Sequence, residues 1–147
     1  MTPFRQLSFG LLLTASAGMI DVVGFIELGG FYTSFMSGNT TQLGAGIARL
    51  GPQLLLPAAL ITMFFLGSFL GSLIAQSRTR GGAVGVLVLI LLSLAVSLAL
   101  RMAGFSAAQA MLALAAGAGA QNAVLTPNGA ARLGTTFVSG TLFAAGQ

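Results

Sequence analysis

The sequence predicts an all-α fold: a polytopic transmembrane helical bundle with an internal repeat of interrupted helices. Three observations predict it. Apolar residues make up 56% of the 147 positions and charged residues 5%, with a mean hydropathy of +0.97, far too little charge to cover a water-facing surface. Two unbroken apolar runs have the length of a membrane crossing. Two separated blocks of the chain carry small and hydroxyl residues in the same order.

The elements follow in chain order. Residues 7–28 are apolar except for Ser8, Thr14, Ser16, Asp21 and Glu27, and Gly29-Gly30 ends the run. Arg5, an apolar stretch and Ala15-Ser16-Ala17 also resemble a signal peptide with its cleavage site, but the apolar pattern continues through Met19-Ile20 and Val22-Val23 and reads as one helix. Residues 33–48 form a short, polar helix. Residues 54–75 open after Pro52, include Pro57 in the first turn, and close before Gln76, Ser77 and Arg78; proline is tolerated there because its missing N–H had no partner. Residues 81–100, bracketed by Arg80 and Arg101, cover about 30 Å as a helix, the thickness of the hydrocarbon layer. Residues 106–125 are rich in Ala and Gly and stop at Thr126-Pro127-Asn128-Gly129. Residues 135–147 would extend about 20 Å, too short to cross, so the chain reads as an incomplete membrane protein.

Composition excludes several function classes. The six positive charges are all arginine, the negative ones are Asp21 and Glu27, and the net charge is +4. The arginines are scattered between apolar runs, where they anchor helix ends to headgroups, instead of clustering into a nucleic-acid surface. Absence of Cys and His removes disulfides and the usual metal ligands, and no cofactor fingerprint precedes a helix. With no His, Cys or Lys, only Asp21 and Glu27 could serve as general bases, and the chain is not read as an enzyme.

The repeat runs from Ala17-Gly18-Met19-Ile20-Asp21 and Thr33-Ser34-Phe35-Met36-Ser37-Gly38-Asn39 to Ala118-Gly119-Ala120-Gln121-Asn122 and Thr135-Thr136-Phe137-Val138-Ser139-Gly140-Thr141. It divides a single membrane domain, residues 1–147, into a copy over about 4–101 and an incomplete copy over 106–147. In each copy a helix breaks and a new one begins in Thr/Ser/Gly, the pattern around which secondary transporters build their sites. Orientation is open. If every segment crosses, Arg5, Arg49 and Arg101 oppose Arg78, Arg80 and Arg132; if residues 33–48 are re-entrant, Arg5, Arg78, Arg80 and Arg132 oppose Arg49 and Arg101, a weak positive-inside bias.

Asp21 is the sharpest chemical signal. A carboxylate inside an apolar helix costs on the order of 2.5–3.5 kcal/mol at mid-membrane, so it faces a cavity or a partner. It is either a cation or proton site or a cap near the interface, while Glu27, close to Gly29-Gly30, reads as interfacial. Ser37, Asn39 and Gln42 on the second helix, with Gln121, Asn122, Thr135 and Ser139 in the second copy, are candidate ligand-binding positions. Gly18, Gly38, Gly67, Gly71, Gly119 and Gly140 are candidate packing positions, with Gly67 and Gly71 forming a GxxxG element.

Ala17-Gly18…Asp21, Leu28-Gly29-Gly30-Phe31, Ser34-Phe35-Met36-Ser37-Gly38-Asn39 and Leu43-Gly44, with Gly119…Gln121-Asn122 and residues 135–140, resemble the YoaK-like family of bacterial inner-membrane proteins of unknown function. The likeness covers nearly the whole chain. Asn122 is followed by Ala123-Val124-Leu125-Thr126-Pro127, where the family's motif leads into basic residues. The resemblance implies a multi-pass protein of the bacterial inner membrane with further helices beyond residue 147. The expected function is a small-solute transporter, Asp21 binding a proton or cation while amides and hydroxyls orient the solute; the alternative is a non-transporting structural or assembly protein. The bilayer is the expected partner, with a homo-oligomer possible and no nucleic acid.

Overall fold

A computed structural model describes residues 3–49, 54–76 and 81–124, with side chains from residue 8 onward. All regular structure among the described residues is helical: α1 (Pro3–Leu28), α2 (Met36–Arg49), α3 (Leu55–Ala75), α4 (Gly82–Met102) and α5 (Ala107–Gln121). Three segments, Ser8–Leu28, Leu55–Ala75 and Gly82–Met102, are long and apolar enough to cross a membrane. The surface matches, because Leu12, Met19, Ile26, Phe65, Val84 and Leu91 all stand exposed on them. This is the pattern of a membrane protein, whose outer faces meet lipid.

Helix ends follow from local chemistry. Leu28 is followed by Gly29 at φ +66 and Gly30 at φ +109, and the Gly30 N–H donates to the Phe25 carbonyl at 2.9 Å. Gly104, at φ +82, closes α4 in the same way: its N–H reaches Arg101, and that of Phe105 reaches Leu100. In both turns a left-handed glycine lets the final carbonyls find donors without water. α5 opens with a reciprocal cap, Ser106 Oγ accepting from Gln109 N–H and Gln109 Oε1 accepting from Ser106 N–H.

The centre is α5, whose last five residues, 117–121, are all buried. Lipid supplies no hydrophobic drive between helices, so close backbone packing of small residues must hold them. On α3, Gly67 faces Ala116 and Gly71 faces Ala120, while Gly119 faces the Phe64 carbonyl; a Cβ on Gly67 would overlap the Ala116 carbonyl oxygen. The pairs advance together, so α3 and α5 run parallel. Across the other side Gly117 lies on Ser93 of α4. Val86 of α4 packs with Ala120 and Ala123.

The direction of α2 follows from three contacts. Arg101, ending α4, lies 3.5 Å from Glu27, near the end of α1, so these two ends share one side. α3, antiparallel to α4 with Gly82 against the Ala75 carbonyl, therefore starts on that side, just after α2 has ended. Meanwhile residues 33–35 lie beside Asp21, two turns back along α1, and Gln42 of α2 reaches the Gly30 carbonyl at the turn. The chain dips from Gly30 to the level of Asp21, turns, and returns as α2 to the end it left. Residues 33–48 thus fold back against α1 as a hairpin, with α2 returning toward the end that α1 left. The helix predicted from residue 33 starts at Met36, because Asp21 holds the three preceding residues in a non-helical turn.

Candidate functional site

The inward stripe of α1 is Gly10, Thr14, Ala17, Asp21 and Gly24, at alternating spacings of four and three, each buried or half-buried. Gly24 makes room for the hairpin, since a Cβ there would come to 3.0 Å from Thr33 Cγ2. Gly18, equally close to Asp21 in sequence, is exposed with nothing within 4 Å of its Cβ direction. Of the two glycines three residues from Asp21, Gly24 carries the contact and Gly18, a candidate packing position, does not.

Asp21 organises the hairpin tip. Its Oδ1 accepts from Thr33 Oγ1 at 3.1 Å, from the Ser34 N–H at 2.6 Å and from the Phe35 N–H at 3.3 Å, and its Oδ2 accepts from Ser34 Oγ at 2.6 Å. Thr33 and Ser34 are buried. The amides just ahead of α2 carry the positive end of the helix dipole, and a carboxylate is the natural acceptor for them. Here it comes from another helix.

Asn39 completes the fold of the tip. Fully buried, it accepts from the Tyr32 N–H at 2.9 Å and donates to the Tyr32 carbonyl at 2.7 Å, holding both backbone groups of one residue. Only an amide has a donor and an acceptor side by side for this. Gly38 leaves space for the rings of Tyr32 and Phe35 above the first turn of α2. Further along, Thr40 and Thr41 return their hydroxyls to the Met36 and Ser37 carbonyls, and Gln42 donates to Gly30 at 3.3 Å. Ser37 itself is exposed.

The second-copy residues lie elsewhere. Gln121, buried at the end of α5, donates to the Leu13 carbonyl at 2.8 Å; Leu13 is eight residues before Asp21, about 12 Å of helix rise. Asn122 follows as the C-cap, its amide 3.4 Å from the Gly119 carbonyl. Asp21, Asn39 and Gln42 therefore form one group, and Gln121 with Asn122 forms another, deeper along α1. Thr135, Ser139 and Gly140 lie outside the described residues. Gly67, Gly71 and Gly119 meet at the α3–α5 crossing, where Ser68 Oγ also donates to the Gly119 carbonyl at 3.1 Å.

Several contributors were not picked out from sequence. Thr33 and Ser34 were visible as polar residues, and two hydroxyls just before a helix, downstream of an intramembrane carboxylate, are the signal for such a cap. Tyr32 and the Leu13 carbonyl act through backbone groups that sequence does not distinguish. Beside Asp21, an open cavity of about 230 Å³ is lined by Asp21, Val22, Phe25, Ile26 and Tyr32. Among the described residues no group of His, Cys, Asp and Glu could hold a metal ion.

A protein-family model described as protein of unknown function (DUF1275) matches residues 9–147. No curated protein and no solved structure matches the chain.

Proposed function

The chain belongs to the DUF1275 family, and within it we propose a YoaK-like, non-enzymatic small-solute transporter or permease of the bacterial inner membrane, with its site at the hairpin tip. One observation carries this reading: a half-helix that begins deep beside α1, at an intramembrane carboxylate, instead of crossing. Transporters use such broken elements because non-helical backbone at membrane depth is tolerated where it is buried in protein or lines a cavity. Asp21 would take a proton or cation, Ser37 and Gln42 would position the solute, and the buried Asn39 would hold the tip that carries them. The internal repeat supports the same reading. Of the blocks matched in sequence, residues 17–21 lie on α1 and residues 118–122 at the end of α5, and these helices run in opposite directions, as in inverted-repeat transporters; residues 135–141 lie outside the described residues.

The alternative, a non-transporting structural or assembly protein, draws on a different observation: the four donors around the Asp21 carboxylate all come from the hairpin of the chain itself. Flux separates the two. Protein reconstituted in liposomes with an entrapped pH dye, tested with protons, sodium and small amines under an imposed gradient, is expected to show flux that Asp21→Asn abolishes while helix content is retained. Unchanged flux in Asp21→Asn removes Asp21 from the mechanism. Absence of flux above empty liposomes for all three probes favours the structural alternative.

A further inference from the structure

The cavity beside Asp21 has a chemistry of its own. Its lining is apolar apart from Asp21 and Tyr32, and Val22, Phe25 and Ile26 face outward, exposed, so its mouth opens toward the lipid-covered surface. The Tyr32 ring stands 5.4 Å from Phe25, tilted by 41°, and 5.2 Å from Phe35, edge-on at 81°. Three aromatic rings thus gather next to one carboxylate.

Among the described residues that carboxylate is hydrogen-bonded but meets no cation. Its four donors are two N–H groups and two hydroxyls, and among the described residues the one ion pair is Arg101–Glu27, at the helix ends. A negative charge in an apolar setting favours a counter-ion strongly. A small inorganic cation needs several oxygen or nitrogen ligands, and the lining offers little beyond Asp21. An organic ammonium needs few: carbon substituents surround its nitrogen and lower the cost of leaving water, and aromatic ring faces attract it.

We propose that this groove binds a small organic cation with an apolar body, such as an alkyl- or arylalkylammonium ion, reached from the lipid layer. The proposal rests on the reading of Asp21 as part of the solute site and names the class of solute. Val22, Phe25 and Ile26 hold the apolar body, Phe25 and Tyr32 present ring faces to the charge, and Asp21 is the counter-ion.

The chain has one tyrosine and no tryptophan, so its near-ultraviolet emission reports from the groove alone. Purified protein in scaffold-free lipid vesicles, excited at wavelengths beyond phenylalanine absorption, is titrated with benzyltrimethylammonium and, in parallel, with its uncharged isostere neopentylbenzene. Saturable change of Tyr32 emission is expected with the cation, at least tenfold weaker with the hydrocarbon and at least tenfold weaker for Asp21→Asn. Phe25→Leu, which leaves every hydrogen bond of Asp21 in place, is expected to weaken cation binding several-fold and serves if Asp21→Asn does not fold. Equal response to both probes, no saturation with the cation, or unchanged affinity in folded Asp21→Asn overturns the proposal; so does unchanged affinity in Phe25→Leu. Proton or sodium flux without ammonium binding would end this inference and leave the transport reading standing, whereas ammonium binding without any flux would do the reverse.

Discussion

The carboxylate of Asp21 accepts the backbone N–H of Ser34 at 2.6 Å across thirteen residues of chain, so the start of α2 is fixed by a half-buried residue two turns inside α1. The amides before a helix have no carbonyl to bond. In water the solvent takes them; within a hydrocarbon layer it cannot. Asp21, Thr33 and Ser34 solve this together, since the hydroxyls and amides that need an acceptor are also the donors that make a carboxylate tolerable at that depth.

Removing the acceptor should therefore cost more than removing the charge. Asp21→Ala leaves the Ser34 and Phe35 amides without their acceptor, at about 1–3 kcal/mol for each buried group left unmade. Asp21→Asn keeps an oxygen that can accept from Ser34, and should lose less. Unfolding in detergent, together with amide hydrogen exchange at Ser34 and Phe35, checks the order. Equal stability for Asp21→Ala and the parent would show that the tip is held by other contacts.

How much of this was legible in the sequence divides along a physical line. The lengths of α3 and α4 could be read because apolar runs and flanking breakers are local features, and both ends agree within two residues. The start of α2 could not, because the cap of residues 33–35 comes from α1. Gly18 and Gly24 are equivalent by spacing from Asp21, and only packing distinguishes the exposed one from the buried one. Glu27 read as interfacial, and it does stand at the end of α1, but its partner Arg101 is a long-range fact. The Gln121 contact ends on a backbone carbonyl, which every residue carries. Asp21 and Asn39 stood out in the sequence as polar groups too costly to face lipid, but spacing alone did not reveal that each holds backbone of the hairpin.

Asn39 offers a sharper test of that point. Its side chain both donates to and accepts from Tyr32. Asn39→Asp keeps the acceptor and loses the donor, whereas Asn39→Leu loses both while filling similar space. Each should destabilise the protein by about 1–3 kcal/mol, and both should loosen the ring of Tyr32, measured as a change in its fluorescence anisotropy. Parent-like anisotropy in both variants would mean that the aromatic contacts alone fix Tyr32.

The α3–α5 crossing predicts a contrast between glycines of the same sequence type. A methyl at Gly67 must displace the Ala116 backbone, which cannot yield as a side chain could. Gly67→Ala should therefore cost about 1–3 kcal/mol, as overpacking does. Gly18→Ala meets nothing within 4 Å, and should be neutral or slightly stabilising because alanine is the better helix former. Thermal unfolding of the two variants in the same detergent measures the difference, and equal midpoints would sink the account of that crossing.

Sidedness is the last consequence of the returning hairpin. Because α2 goes back to the end it left, Glu27, Ala48 and Ala103 belong on one side, and Gln76 on the other. If α2 crossed, Glu27 would stand opposite Ala48 and Ala103. The connection from α3 to α4 carries Arg78 and Arg80, and Arg5 lies at the same end, against Arg49 and Arg101 opposite. Glu27 further offsets Arg101, though an exposed pair of this kind contributes at most about 1 kcal/mol. On the positive-inside tendency, the end bearing Arg5 is the one expected in the cytoplasm. The chain contains no cysteine, so single cysteines can be read without background. Glu27→Cys, Ala48→Cys and Ala103→Cys should react with an impermeant maleimide in intact cells, and Gln76→Cys only after the membrane is opened. Reversal of all four would overturn the orientation and keep the hairpin, while reactivity of Glu27→Cys opposite to that of Ala48→Cys and Ala103→Cys would mean that α2 crosses after all.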